Sequence, residues 1–87
     1  MESEKTVMLI LLINNTFLIS NIAEVVSELG QPDCKLTEPY ILTDTDKLEP
    51  WLNEYTRDNE IMISSDKILT LVEPKKTLLD KYLELTQ

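Results

Sequence analysis

The sequence predicts a mainly β domain: a small, strongly bent antiparallel barrel of about five strands, with one short C-terminal α-helix. Three observations carry that prediction. Between residues 6 and 73, apolar residues recur at period two or in runs too short for ordinary helices. Polar or Gly/Pro-bearing tips at Asn14-Asn15, LGQPDC, TDTD, TRDNE and SSDK interrupt them. Only beyond Glu73-Pro74 does the apolar spacing become helical. At 87 residues the chain is read as one domain, 1–87.

The first element, TVMLILLI (6–13), is an apolar run bounded by polar residues, as expected of a strand covered on both faces. Asn14-Asn15 then suits a two-residue turn, because Asn tolerates positive φ. TFLISNIAEVV (16–26) returns with Phe17, Ile19 and then Ile22 and Val25 inward, and the shift in phase between the two pairs suggests a bulge. Gly30, the single glycine, and Pro32 mark a loop. KLTEPYIL (35–42) and KLEPWLNEY (47–55) read as two more strands around TDTD. Pro39 and Pro50 lack N–H donors, so each belongs at a sheet edge, strand end or bulge. EIMISSDKILTLVEP (60–74) supplies the last two strands, with SSDK as a solvated hairpin tip. From about 75 to 86, Leu78, Leu79, Tyr82, Leu83 and Leu85 share one helical face, and Pro74 suits the first turn. A helix this short is marginal alone, so that face is expected to cover the sheet.

Ile61-Met62-Ile63 and the run from Ile68 to Val72 are apolar on both pleat faces. A sheet built from so short a chain cannot cover both faces and both edges of its last strands. Curling into a barrel covers one face; pairing with another subunit covers an edge. An oligomer is therefore expected.

Composition excludes more than it selects. The net charge is −8, from 16 acidic and 8 basic residues, a field that repels polyanions and anionic membranes unless a local site intervenes. Cys34 is the one cysteine and there is no histidine, so internal disulfides, His-based triads and zinc clusters are absent from the inventory. No metal, cofactor or catalytic residue is expected, and the reading is not an enzyme. Asp44, Asp46 and Glu49 lack the glycine and spacing of a calcium loop and are read as solvated. The apolar run from Val7 to Ile13 lacks a basic leader and is far short of the roughly 20 residues of a membrane span. No targeting segment is read, and the expected compartment is the cytoplasm.

Strand order then brings in a resemblance. A hairpin, a loop, a variable middle hairpin and EIMISSDKILTLVEP resemble the Sm-like fold. GQPDCKLTEPYIL, LEPW, DNEIMISSDKILTLVEP and the Leu/Tyr tail, roughly 30 to 86, resemble small Sm-like proteins of marine cyanophage origin. The resemblance implies a single Sm-like domain assembling into a cyclic homo-oligomer of the pentamer to heptamer class. Its interface would use Ile61, Met62, Ile63, Ile68, Leu69 and Leu71. It also implies RNA or single-stranded DNA as ligand at two pore loops, with Asp33, Cys34, Lys35, Ser65 and Lys67 as the positional matches. The implied setting is phage RNA or DNA processing in the host cytoplasm. The chain departs from the family pattern in three ways: SSDK lacks an Arg-Gly pair, no aromatic stands near Cys34, and the helix is C-terminal.

Each of these residues also has a plainer reading. SSDK is more often a solvated turn whose Asp and Ser bond local backbone. Lys35 and Lys67 are more often solubility charges, Cys34 a small filler, and Trp51 and Tyr40 packing residues. The alternative function is an oligomeric scaffold that binds protein and no nucleic acid, which the net charge favours.

Overall fold

The computed structural model describes residues 6–44, 47–52 and 54–86. Among these lie six strands in one antiparallel sheet: β1 (Thr6–Leu12), β2 (Phe17–Glu24), β3 (Cys34–Asp44), β4 (Lys47–Pro50), β5 (Glu60–Ile63) and β6 (Ile68–Val72). A 3-10 turn, Ser65–Lys67, links β5 to β6, and α1 (Lys76–Thr86) follows. The spatial order is β4-β3-β2-β1-β6, with β5 also on β3. Long β3 thus carries two short partners along one edge: Cys34–Thr37 pair with β5, and Tyr40–Asp44 with β4.

The β1–β2 connection is a three-residue loop, Ile13 to Asn15, and not the expected two-residue turn. Leu12 N–H donates to the Thr16 carbonyl at 2.9 Å, Asn15 N–H to the Leu12 carbonyl at 2.9 Å, and Asn15 takes φ 67°. A tight turn ended by one left-handed residue suits Asn.

The bend in β3 has a local cause. Glu38 stands at φ 54°, its N–H donates to the Asn59 carbonyl at 2.6 Å, and Pro39 follows with no N–H to offer β2. Across the ladder the register shifts between Ile19 and Asn21. Ser20 fills the bulge, its hydroxyl 2.8 Å from the Asn21 carbonyl and 3.1 Å from that of Thr37. Bulge and kink together increase twist and let the sheet wrap. Pro50 ends β4, and the strand stops there: Trp51, Leu52, Glu54 and Tyr55, expected to be extended, lie in turns, and Asn53 lies outside the described residues. Trp51 packs on the core and its N–H continues the ladder to the Pro39 carbonyl at 2.9 Å, after which Leu52, at φ 68°, turns the chain.

The concave face holds the core: Ile10, Leu12, Leu18 and Leu36, with Ile22, Ile61, Ile63 and Ile68 packed against them. The phase expected for β2 is corrected here. Leu18 enters the core and Phe17 is exposed, because Ile10 pairs with Leu18 and Leu11 with Phe17. Ile19 is also buried, on the opposite face, where it pairs with Tyr40.

That opposite face is covered by α1, which starts at Lys76, two residues after Pro74. Tyr82 is fully buried there. Its hydroxyl accepts from Asn21 N–H and Nδ2–H, both at 3.2 Å. It lies 2.9 Å from the Glu38 carbonyl and 3.1 Å from that of Thr37, either of which takes its proton. The ring meets Tyr40 edge to face at 5.7 Å, and Tyr40 Oη donates to the Leu85 carbonyl at 3.3 Å. One side chain therefore ties the helix to the backbone at the bulge. Leu78 and Leu79 are half-buried, whereas Leu83 and Leu85 are largely exposed.

Candidate functional site

β3 begins at Cys34 directly opposite Ile63 of β5. That register brings the end of the 25–33 loop to the start of the 3-10 turn, so the two loops singled out in the sequence do meet. Asp33 makes the junction: Oδ1 accepts from Ser65 N–H at 2.7 Å and Oδ2 from the Ser65 hydroxyl at 2.8 Å. Ser64, the N-cap of the turn, makes no side-chain cap bond of its own, so Asp33 caps it from the other loop. The Ser65 N–H, then its hydroxyl, hold the Asp33 carboxyl below its ordinary 3.8. Val25 N–H donates to the Asp33 carbonyl at 2.9 Å and closes the 25–33 loop at its base.

The other positional candidates differ in burial and placement. Cys34 is buried, and burial first, with the Asp33 and Glu24 carboxylates behind it, pushes its thiol pKa up. It is a filler and a poor nucleophile. Lys35 is not in the loop: it stands within β3, half-buried, opposite Met62 on one side and Ala23 on the other. Lys67 is exposed at the turn, its backbone bonded to Ser64 and to Ile13 of the β1–β2 loop at 3.0 Å each. Asp66 beside it is also exposed. Asp46 of the acidic 44–49 cluster lies outside the described residues. Among the described residues no three His, Cys, Asp or Glu side chains converge as metal ligands would.

Two features the sequence reading passed over adjoin this junction. Val26 and Leu29 are fully exposed, at 104% and 103%. The available signal was the apolar pair three residues apart inside EVVSELGQPD, which strand-like phasing of β2 obscured. Next to the loop's base, an open groove of about 470 Å³ runs between β2 and β6, lined by Met8, Ile22, Glu24, Cys34, Ile68 and Leu71 among others.

The proposed interface residues divide by face. Ile61, Ile63 and Ile68 pack on the core, while Met62, Leu69 and Leu71, together with Val72, are exposed. Among the described residues β5 pairs with β3 alone and β6 with β1 alone, so SSDK is not a hairpin tip and each strand has one edge without a strand partner. No helix among them is long and apolar enough to cross a membrane.

A family model, described as a family of unknown function (DUF6561), matches residues 5–87. No curated protein matches the chain.

Proposed function

We propose, from the premise that the chain belongs to this family of unknown function, DUF6561, that it is a ring-forming protein of Sm-like architecture whose ring is a protein-binding scaffold and not an enzyme. The observation that carries the reading is that the curved sheet ends on open edges among the described residues, β5 with β4 beside it at one end and β6 at the other. Two different edges that complement each other assemble head to tail, and a bent sheet favours a closed ring over a filament. The outer part of the strand order, β5-β3-β2-β1-β6, is the order expected of an Sm-like sheet, with β4 an addition beside β5. Leu69, 61% exposed beside the open β6 edge, supports assembly too, since an apolar edge strand is a pairing site.

The junction supports a protein ligand better than a nucleic acid. Asp33 is occupied in the clamp, Cys34 is buried and Lys35 lies in a strand. The Asp33 and Glu24 carboxylates act on Cys34, in a chain of net charge −8. RNA or single-stranded DNA is the second reading, and exposed Lys67 favours it, since a ring repeats one weak cation many times.

Light scattering tests assembly: the wild type is expected at a mass of five to seven chains at tens of micromolar, and Leu69→Lys as a monomer. A monomeric wild type sinks the ring. Titrating labelled oligo(U) at low and physiological salt separates the ligand classes. Tight binding that Lys67→Glu abolishes, with ring size unchanged, would move the function to nucleic acid.

A further inference from the structure

A protein-binding scaffold needs a surface whose chemistry selects its partner. We propose, resting on the scaffold reading, that a cavity beside Trp51 and Tyr55 takes an arginine side chain from a basic segment of that partner.

The site is built where β4 ends. Ile41 of β3 lies opposite Glu49, and both Ile41 and Trp51 pack against the core cluster. Cross-strand partners share a face of the sheet, as do alternate residues along a strand, so Ile41, Glu49 and Trp51 stand together on the core side. Leu52 then turns the chain at φ 68°, its carbonyl accepting from Tyr55 N–H at 2.9 Å and from Thr56 N–H at 3.1 Å. Leu52, Glu54 and Tyr55 line, with Ile41, Glu49 and Trp51, one cavity of about 490 Å³ that is open to solvent. The loop from Trp51 to Asn59 is pinned at both ends to adjacent residues of β3. Trp51 N–H donates to the Pro39 carbonyl at 2.9 Å, and Glu38 N–H to the Asn59 carbonyl at 2.6 Å. A loop closed at its base in this way leaves less ordering to be done on binding.

A single exposed aromatic residue is ordinary and needs no explanation. Tyr55 differs in setting: it is 82% exposed on a cavity that it shares with the chain's single tryptophan. Aromatic faces attract cations and stack planar groups, a guanidinium or a nucleobase alike. The carboxylates choose between these. Glu49 and Glu54 line the cavity, no cation among the described residues does, and neither carboxylate is in an ion pair with another described residue. They repel the phosphates that accompany a base. A guanidinium satisfies both parts of the wall, its plane on an aromatic ring and its fork of donors on a carboxylate. An ammonium offers the charge without the plane. No wall of the cavity belongs to β5 or β6, so the site is separate from the edges that the ring reading uses. Repetition around a ring would add avidity to a weak single contact.

The test uses the full-length protein, in which Trp51 fluorescence reports on the site directly. Three Gly/Ser peptides of equal length carry Arg, Lys or citrulline at the same positions, citrulline keeping the plane of Arg and losing its charge. The Arg peptide is expected to change Trp51 emission and to bind more weakly as salt rises. The Lys peptide should bind severalfold more weakly and the citrulline peptide at least tenfold. Tyr55→Ala should weaken Arg-peptide binding at least tenfold and Tyr55→Phe should keep it. Glu49→Gln with Glu54→Gln should weaken it at least tenfold and flatten its salt dependence. All three positions are exposed, so these variants should fold. Leu85→Ser, an exposed apolar position on α1, should leave binding unchanged. Equal binding of the citrulline peptide, or an unaltered affinity in Tyr55→Ala or in the double Gln variant, overturns the site. Absence of Arg-peptide binding alongside oligo(U) binding that Tyr55→Ala abolishes overturns both the site and the scaffold reading. Light scattering on the same samples decides the ring separately. A ring that binds none of the peptides overturns this site alone, and a monomeric wild type that binds the Arg peptide through Tyr55 upholds it while removing the ring.

Discussion

The helix-covered face of the sheet and its β5 and β6 edges treat the same kind of residue in opposite ways. Under α1, Tyr82 is fully buried, its hydroxyl bonded to Asn21 and to a carbonyl of the β3 bend, and among the described residues no buried side-chain polar atom lacks a partner. At β5 and β6, Met62, Leu69, Leu71 and Val72 stand exposed beside backbone edges that pair with no other strand among the described residues. A chain able to satisfy a tyrosine hydroxyl from three directions does not leave a strand edge open for lack of means. The contrast separates what folding completes from what the proposed assembly would use: the helix covers its face of the sheet, and the β5 and β6 edges are left without a strand partner among the described residues.

The largest expected effect comes from breaking the two edges separately. Met62→Lys burdens β5 and Leu69→Lys burdens β6, and both side chains are exposed, so each monomer should still fold. Each variant alone is expected to be monomeric, because head-to-tail pairing needs both edges. An equimolar mixture should give a dimer and stop there, one good β6 edge on one good β5 edge. Light scattering or native mass spectrometry reads this directly. Rings in either single variant, or a mixture that stays monomeric, would mean that the edges do not pair with each other.

Part of this division was visible in the sequence. The two-sided apolar runs at 60–72 marked unfinished strands, and the Leu/Tyr period after Pro74 marked the helix. The phase of β2 was not legible, because Phe17, Leu18 and Ile19 are all apolar and period two cannot choose among them. β4 was overestimated for a related reason. Trp51 and Tyr55 look like strand residues, but Leu52 takes φ 68° and Tyr55 N–H bonds back to its carbonyl, a turn that no apolar pattern announces. The Asp33–Ser65 clamp joins residues 32 apart, through a register between β3 and β5 that no local pattern encodes. Val26 and Leu29 were hidden by their own type, since aliphatic residues following a strand read as more strand.

The helix side should respond next most strongly. Tyr82→Phe keeps the ring's packing but leaves Asn21 and the β3 carbonyls short of a partner, at a cost of about 1–3 kcal/mol. Thermal or urea unfolding measures it, and subunit number should not change. Burial is the main cause raising the Tyr82 pKa, with Asn21's hydrogen bonds opposing it. The folded state therefore favours the neutral phenol. Its contribution is fully present below the unfolded value near 10 and is lost as pH rises through the higher folded value. The Phe variant should lack that alkaline component. If Tyr82→Phe melts with the wild type at neutral pH, the hydroxyl network does not hold the helix.

The smallest effect belongs to the clamp, which lies between the two regions and orders the turn leading into β6. Asp33→Asn keeps an acceptor for one Ser65 donor but loses the charge and the second acceptor. The folded-state pKa of Asp33 is depressed, so the carboxylate's contribution is present above 3.8 and lost as pH falls through the lower folded value. Above that range, Ser65 N–H in the Asn variant should exchange with solvent severalfold faster than in the wild type, with little change in global unfolding. Below it the two proteins should converge, since the wild-type carboxyl is then neutral as well. A pH-independent gap in Ser65 exchange would mean that shape, and not charge, holds the two loops together. An edge-breaking Leu69→Lys protein should show the same clamp behaviour, because both partners belong to one chain.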